Sequence, residues 1–296
     1  MSTVRNIKSR AVNAFRMLLG RRYFPPATPV EPRSYEEQVF ASLIPPGSVV
    51  YDIGANYGTT ALFMARAAGR QGRLFAFEPV LPTYMELCRV VQFDGFEKAV
   101  IGMFHLGASD REGVETVAVP EGMAGMASLR LSEDALQVGA RQVREYLCRF
   151  VRLDDFAESH GLPDPDFVKI DVEGAELLVL TGMHRMLERA RPRLHIEVFA
   201  PWEKAFGYRP WNVLTLLQTI GYKLLFACPS GLVSHVATQE RPVPAEYVNG
   251  YNVVAYDPNR NPETLSQLTR LTAVSVNLLP LAPAPMPNVV DEDGQA

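Results

Sequence analysis

Short apolar runs alternate with helical patterns along most of this chain, and few folds accept such a pattern. Parallel strands need a long crossover between them, and a helix usually supplies it. The strand-like runs are Val49–Ile53, Arg73–Phe77, residues 100–106, Phe167–Ile170, residues 193–199, residues 223–227 and Tyr251–Tyr256. The sequence therefore predicts an α/β protein with a doubly wound, mostly parallel sheet of seven strands.

The alternation is interrupted after the third predicted strand. Residues 114–119 alternate like an antiparallel strand, residues 121–147 are typical of an excursion with a helix, and residues 150–153 form a further apolar run. An inserted β/helix unit is therefore expected beside the main sheet. Helices are predicted over Thr59–Ala68 and residues 82–92, 175–190 and 211–220.

Charge divides the chain into three segments. Residues 1–33 contain seven Lys or Arg and one acid, and their apolar residues recur at helical spacing, which predicts a basic amphipathic helix. This helix either packs on the domain or a partner subunit, or makes peripheral contact with a membrane surface or anionic polymer. Residues 34–258 are predicted to form the globular domain. Residues 259–296 are predicted to be an extension with a disordered, Pro-rich and acidic end.

Composition argues against several classes of protein. Hydrophobic residues make up 47% of the 296 residues and charged residues 21%, which is enough to bury a core without disulfides or metals. Cys88, Cys148 and Cys228 form no CxxC pair, which is typical of reduced thiols in a cytoplasmic protein. No apolar stretch approaches the ~20 residues of a transmembrane segment. The net charge of −4 argues against general nucleic-acid binding.

A glycine-rich loop follows the first predicted strand, in the run Asp52-Ile53-Gly54-Ala55-Asn56-Tyr57-Gly58. Glycines at this point let a ligand approach the backbone, and the next helix offers free N–H groups. Glu78 ends the second strand, where a carboxylate can accept hydrogen bonds from both hydroxyls of a ribose. The pair of features predicts a nucleoside site, although the loop alone also suits a tight strand-to-helix turn.

The charge of Asp52 bears on which nucleoside is bound. The GxxxG spacing differs from the GxGxxG of dinucleotide folds, and Asp52 would repel a pyrophosphate, which disfavours NAD. S-adenosylmethionine carries a sulfonium and an ammonium group, so an acid nearby is favourable. Asp52 is equally compatible with capping the next helix.

A second group of polar residues ends the fourth and fifth strands. Lys169, Asp171 and Glu173 alternate along one run, and Glu197 follows His195 at the end of the next strand. Such residues can tune one another's pKa values, bind a metal through Asp171 and Glu197, or simply form an ion pair. His195 is a candidate catalytic residue, although a lone His is more often structural.

Four runs in this order resemble the FkbM-type S-adenosylmethionine-dependent methyltransferases: VVYDIGANYGTTALFMA, FAFEP, VRLDDF and FVKIDVEGAELLVLTG. The resemblance extends over roughly residues 36–256, and GMASL at residues 125–129 is similar to a further family segment. It implies a class I, Rossmann-like methyltransferase fold and methyl transfer to a hydroxyl of a sugar, glycan or secondary metabolite. A non-catalytic nucleoside-binding regulator and an NAD-dependent oxidoreductase are the alternatives.

The resemblance also implies roles for individual residues. Asp171 would close the pocket near the transferring methyl, and Glu78 would bind the ribose. The other implied cofactor contacts are a methionine-side loop of Asp52, Gly54, Asn56 and Gly58, and an adenine-side group of Ala108, Ser109 and Asp110.

Methyl transfer to an alcohol needs either a base or a divalent metal such as Mg²⁺, because the pKa of an alcohol is close to that of water. Asp171 and Glu197 could act in either way, and Lys169 could stabilise an alkoxide or act as a base if burial lowers its pKa. The small-molecule or glycan acceptor is expected to bind loops above the strand ends. The candidates there are residues 121–147, with Met123 and Met126, and the aromatics Trp202, Phe206 and Tyr208.

Overall fold

The computed structural model describes residues 31–32, 34–94, 101–121, 127–130, 142–198, 200–228, 231–241, 243–244 and 251–275. The basic helix predicted within residues 1–33 and the Pro-rich end of the chain lie outside these residues. None of the helices in the described ranges is both long and apolar enough to cross a bilayer.

The described residues contain eleven strands and nine helices. The strands are β1 Val49–Ile53, β2 Arg73–Phe77, β3 Ile101–Phe104, β4 Gly107–Ala108, β5 Gly113–Pro120, β6 Val143–Val151, β7 Phe167–Ile170, β8 Arg193–Val198, β9 Lys223–Cys228, β10 Gly231–Ser234 and β11 Tyr251–Tyr256. The helices are α1 Tyr35–Leu43, α2 Thr59–Ala68, α3 Leu81–Asp94, α4 Leu153–His160, α5 Glu176–Gly182, α6 His184–Ala190, α7 Ala200–Ala205, α8 Pro210–Thr219 and α9 Thr264–Ser275.

Eight strands form the main sheet in the order β10-β9-β11-β8-β7-β1-β2-β3. β1 lies parallel to β2 and β7, β2 to β3, and β7 to β8, whereas β11 runs antiparallel to its neighbours β8 and β9. The predicted α/β fold with a mostly parallel sheet is confirmed. The sheet has one strand more than predicted, because β10 is a four-residue run that the antiparallel pairing with β9 holds in place.

Helices cover both faces of the main sheet. One apolar layer packs α1, α2, α3 and α9 against side chains such as Val50, Leu74 and Phe167. The opposite layer packs α4, α5, α6 and α8 against side chains such as Ile53 and Ile196. Because both faces are buried, the parallel strands are nearly continuous apolar runs, and polar residues are confined to a few positions.

The interruption after β3 is a separate three-stranded sheet in the order β4-β6-β5. β5 and β6 pair antiparallel over their whole lengths, so β6 occupies part of the region predicted as an excursion with a helix, and it begins at Val143. The rest of that excursion, residues 122–126 and 131–141, lies outside the described residues. The strand predicted over residues 150–153 ends at Val151, since Leu153 already begins α4.

The helix predicted over residues 175–190 is two helices. Met183 separates α5 from α6 with φ = −117° and ψ = 18°, outside the helical region, although its side chain is fully buried. Apolar spacing continues through both helices, and for this reason the sequence pattern does not reveal the break.

The last described helix, α9, packs against α1. Leu268 of α9 is fully buried in the same apolar layer as Phe40 of α1. Arg193 of β8 donates hydrogen bonds to Thr264, to the carbonyl of Leu43 and to the carboxylate of Glu263. Part of the segment predicted as a C-terminal extension therefore contributes to the core.

Candidate active site

The glycine-rich loop after β1 packs directly on the loop that follows β7. Gly54 has φ = 81°, and a Cβ on it would lie 1.9 Å from the carbonyl oxygen of Asp171, so a side chain does not fit there. Gly58 begins α2 with φ = 82°, and a Cβ there would meet the side chain of Leu87. Gly54 thus allows the ends of β1 and β7 to approach closely, and Gly58 allows the start of α2 to pack against α3.

Glu78 lies beside this loop at the end of β2. Its carboxylate accepts hydrogen bonds from the backbone N–H of Asn56, at 3.0 Å, and of Val80, at 2.9 Å. Glu78 is only 5% exposed, and burial raises its pKa to about 7. Each carboxylate oxygen has a second lone pair, so Glu78 can still accept hydrogen bonds from hydroxyl groups.

A cleft opens at the carboxyl ends of β1, β2 and β7. The predicted cofactor residues that line this cleft are Gly54, Asn56, Glu78, Ala108 and Asp171. The remaining lining residues are Ile53, Phe77, Pro79, Gly107, Val117, Ala127, Leu129, Phe150, Val172, Glu173 and Ala175. The wall is therefore largely apolar, with polar groups concentrated at two strand ends.

Four of the predicted cofactor residues lie outside the lining of the cleft. Asp52 is fully buried behind it, and Gly58 packs on α3. Ser109 donates from its hydroxyl to the carboxylate of Asp110, 3.2 Å away, and from its backbone N–H to the carbonyl of Val151. The predicted adenine-side group is thus split, since Ala108 lines the cleft and the next two residues do not.

The cleft suits S-adenosylmethionine on structural grounds. The side-chain oxygen of Asn56 is buried and has no hydrogen-bond partner among the described residues. An unpaired buried acceptor is costly, so a donor on a ligand would relieve that cost. Glu78 offers acceptor oxygens for ribose hydroxyls, and Gly54 leaves room where a Cβ would intrude.

Lys169 is buried between two carboxylates. Its ammonium nitrogen lies 2.8 Å from Oδ2 of Asp171 and 3.9 Å from Oδ1 of Asp52. Burial favours the neutral amine, but the two carboxylates outweigh it and raise the pKa of Lys169. Lys169 is therefore expected to stay charged, and the condition under which it would act as a base, a pKa lowered by burial, is not met.

Asp52 and Asp171 respond differently to the same ammonium group. Burial raises the pKa of Asp52 to about 6, and Lys169 only partly offsets that effect. Burial acts in the same direction on Asp171, but the closer contact with Lys169 outweighs it and lowers the pKa. Asp171 is therefore an ionised carboxylate that lines the cleft.

Three carboxyl groups converge beside Lys169. One oxygen each from Asp171, Glu173 and Glu197 lies within 4.8 Å of the others. Burial, and then the charge of Asp171, raise the pKa of Glu173 to about 9 and that of Glu197 well above its ordinary value. Asp171 is thus the ionised member, and Glu197 holds a proton next to it. The same oxygens are of the type that Mg²⁺ binds, with Glu173 added to the predicted pair.

His195 lies under α1 and away from the cleft. Its ring packs edge-on against Phe40 at 4.8 Å, and Nδ1 is 4.0 Å from the carboxylate of Glu36. Burial, and then the charge of Lys169, lower the pKa of His195 to about 3, so the imidazole is neutral. We assign it a packing role instead of the predicted catalytic one.

The predicted acceptor residues have different surroundings. The ring of Phe206 lies 5.4 Å from the guanidinium carbon of Arg130. The hydroxyl of Tyr208 is engaged by the loop after β7, and stacking of its ring on an acceptor stays a prediction. Met123, Met126 and the side chain of Trp202 lie outside the described residues.

Sequence reasoning missed Glu176, Ser128 and Glu203. Glu176 is buried and accepts hydrogen bonds from the backbone of the loop after β7, and Ser128 donates to the carbonyl of Glu173 at 2.8 Å. Glu203 is fully buried, and both of its carboxylate oxygens lack a partner in the described part of the chain. An acid two residues beyond Gly174 was a usable signal for Glu176, whereas α7 gives no such signal for Glu203.

The fold and the cleft define a class I S-adenosylmethionine-dependent methyltransferase domain. Residues 52–224 match the methyltransferase FkbM domain, and the chain belongs to this family. The family resemblance predicted from the four sequence runs is confirmed, together with S-adenosylmethionine as the cosubstrate of the domain.

Relatives of different sizes share this domain. The chain is 31% identical to the AMB antimetabolite synthetase AmbE of Pseudomonas aeruginosa over 213 residues, which cover 62% of the chain and 10% of AmbE. It is 31% identical to the hexuronic acid methyltransferase AglP of Haloferax volcanii over 140 residues, covering 47% of the chain and 52% of AglP. The chain thus spans about a tenth of the length of AmbE and about half of the length of AglP.

A methyltransferase FkbM of Methylobacillus flagellatus has a solved crystal structure. It is 18% identical to this chain and superposes with a TM-score of 0.43, covering 71% of this chain and 43% of that one.

Proposed function

We propose that the protein transfers a methyl group from S-adenosylmethionine to a hydroxyl of a small acceptor, namely a sugar, glycan or secondary metabolite. The observation that carries this proposal is the cleft itself, which has Glu78 at one strand end and the ionised Asp171 at another. A site for a nucleoside and a site for a proton acceptor thus share one cavity.

The residues that would hold the cosubstrate follow from the cleft. Glu78 would accept hydrogen bonds from the ribose hydroxyls, and the unpaired oxygen of Asn56 would accept from a donor on the ligand. Because Gly54 has no side chain, the wall of the cleft at this position is formed by backbone atoms. When bound, S-adenosylmethionine supplies a methyl group on a cationic sulfur, which leaves alignment and proton removal to the protein.

Asp171 is the residue that we propose as the proton acceptor. It lines the cleft and is ionised, whereas Glu197 beside it is protonated. Lys169 is too deeply buried to reach an acceptor, and its ammonium group instead holds Asp171 in the charged state. The protonated Glu197 can donate a hydrogen bond to the Asp171 carboxylate.

The name of one relative supports a sugar acceptor, since AglP is a hexuronic acid methyltransferase. The test is a mass-spectrometric screen of methyl glycosides of hexuronic acids, neutral sugars and hydroxylated macrolides, each incubated with the protein and S-adenosylmethionine. We expect a methyl gain on a hydroxyl of at least one of them.

Calorimetric titration separates the alternatives. Binding of S-adenosylmethionine without any methylated product would favour a non-catalytic nucleoside-binding regulator. Binding of NAD in preference to S-adenosylmethionine would overturn the proposal.

A further inference from the structure

The loop at residues 172–174 carries an unusual backbone between Asp171 and α5. Glu173 has φ = 51° and Gly174 has φ = 99°, so two successive residues adopt positive φ. A residue with a side chain rarely adopts this conformation unless the surroundings enforce it. Asp171 and Glu173, both of which line the cleft, depend on this loop for their positions.

Glu176 holds the loop from the side of α5. Its Oε1 accepts hydrogen bonds from the backbone N–H of Gly174 at 3.1 Å and, more weakly, of Val172 at 3.4 Å. The residue is 2% exposed, so these bonds are shielded from water. One carboxylate oxygen thus joins both ends of a three-residue loop.

Tyr208 holds the same loop from the segment between α7 and α8. Its hydroxyl donates to the carbonyl oxygen of Gly174, accepts from the backbone N–H of Leu177 at 3.2 Å and lies 3.3 Å from Oε2 of Glu176. On the opposite side, Ser128 donates to the carbonyl of Glu173 at 2.8 Å. The polar groups of the loop are therefore fixed from three directions.

We propose that Glu176 and Tyr208 are positioning residues that hold the loop after β7 so that Asp171 and Glu173 face the sulfonium end of the cosubstrate. The inference rests on the proposed function for its ligand and goes beyond it in assigning two residues that do not line the cleft.

The first experiment compares Tyr208→Phe with the full-length parent chain. Calorimetry gives the affinity for S-adenosylmethionine and for S-adenosylhomocysteine, which lacks the methyl group and the positive charge. A displaced Asp171 interacts less well with the sulfonium, so we expect the preference for S-adenosylmethionine to fall roughly 3- to 10-fold. Hydrogen exchange should show faster exchange at the amides of Val172 and Gly174.

Tyr51→Phe is the matched control. Tyr51 is fully buried and does not line the cleft, and its hydroxyl donates to the backbone carbonyl of Pro163 at 3.0 Å. The Tyr51→Phe variant should lose about as much thermal stability as Tyr208→Phe, while its preference for S-adenosylmethionine over S-adenosylhomocysteine stays unchanged. Glu176→Gln is the second variant, and it retains the size of the side chain while removing its charge.

The outcomes are distinct. An unchanged ligand preference together with unchanged amide exchange in Tyr208→Phe would overturn the positioning role. A parent chain that binds neither ligand would refute the proposed function, and amide exchange would still decide whether Glu176 and Tyr208 hold the loop. An equal loss of preference in Tyr51→Phe would reduce the effect to general destabilisation and would also overturn the proposal.

Discussion

Glu78 is the residue whose environment most directly suggests a ligand. We expect Glu78→Ala to weaken the binding of S-adenosylhomocysteine by about 10-fold or more, since each charge-assisted hydrogen bond contributes about 1.5–3 kcal/mol. Isothermal titration of the folded variant measures this change. Glu86→Ala is the control, because Glu86 lies on the neighbouring α3, does not line the cleft and pairs with Arg89 on the surface. Equal affinities for parent and Glu78→Ala would show that Glu78 does not bind the ribose.

Asp171 should matter more for turnover than for folding. Asp171→Asn retains the size of the side chain and an acceptor for Lys169, but it removes the charge that we propose receives the proton. Methyl transfer should fall about 10²-fold or more, the scale of a positioned acid–base group, with little change in thermal stability. The assay uses the acceptor identified by the screen.

Two observations would contradict or redirect this assignment. Parent-level turnover in Asp171→Asn would exclude the catalytic role, and Asp164→Asn, at an exposed pair with Arg189, controls for a general effect of charge removal. Chelation by EDTA separates a base from a metal ligand, since only a metal held by Asp171, Glu173 and Glu197 predicts loss of parent activity on chelation.

Individual site residues were predictable where the signal is local. Glu78 and Asp171 follow buried strands, and the carboxyl ends of neighbouring parallel strands meet at one edge. His195 was not predictable, because α1 covers it and lies far away in sequence. The opposite pKa shifts of Lys169 and Asp171 depend on a 2.8 Å contact that the alternation of residues allows but does not specify.

At the scale of elements, strand pairing and packing determine features that the apolar periodicity of the sequence does not reveal. The bounds of β1, α2 and β2 follow directly from apolar runs that glycine or proline terminates. β10 exists because β9 offers a free edge, and the break at Met183 lies inside a continuous apolar pattern. Both features are consequences of tertiary packing.

Helix α9 provides a prediction about an element. Truncation after Pro258 removes the buried Leu268 and two of the three partners of Arg193, Glu263 and Thr264, and it removes the helix that packs on α1. We expect the truncated chain to lose about 3 kcal/mol or more of unfolding free energy, since burying one Leu contributes about 1.5–3 kcal/mol. Urea denaturation followed by circular dichroism measures the loss.

Deletion of residues 1–33 is the contrasting variant. This segment precedes Ser34, which caps α1 by accepting a hydrogen bond from the N–H of Glu37. We expect the shortened chain to retain a cooperative transition and to bind S-adenosylmethionine. Loss of that transition would place the segment within the core, and unchanged stability after truncation at Pro258 would exclude α9 from it.

The molecule as a whole buries several acids around one edge of its sheet. Burial is the largest cause of a raised pKa at Asp52, Glu78, Glu173, Glu176, Glu197 and Glu203. Such an arrangement costs stability, and it is tolerated where a cation such as the sulfonium of S-adenosylmethionine is to be bound.

The pH dependence of stability follows from these acids. A raised pKa means that the folded state binds more protons than the unfolded state, so stability is greatest below about pH 4.5 for these groups and is lost as pH rises through the folded pKa. Between pH 7 and 9 His195 opposes this loss only weakly, because its imidazole is neutral in the folded state and already mostly neutral in the unfolded state. The unfolding free energy should therefore fall over this interval, by up to about 1.4 kcal/mol per pH unit for each acid still protonated.

Glu203 allows the contribution of a single buried acid to the pH dependence of stability to be measured. Its carboxyl group is fully buried without a partner in the described residues, and burial, then the charge of Glu176, raise its pKa to about 9. The Gln side chain in Glu203→Gln cannot ionise in either state. Between pH 7 and 9 the unfolding free energy of this variant should therefore fall less steeply with pH than that of the parent, by an amount that corresponds to about one proton. Urea denaturation at pH 7, 8 and 9 without ligand measures the slope. Glu112→Gln, at an exposed pair with Arg149, should keep the parent slope, whereas a parent slope in Glu203→Gln would mean that the ionised Glu203 finds compensation in the folded protein.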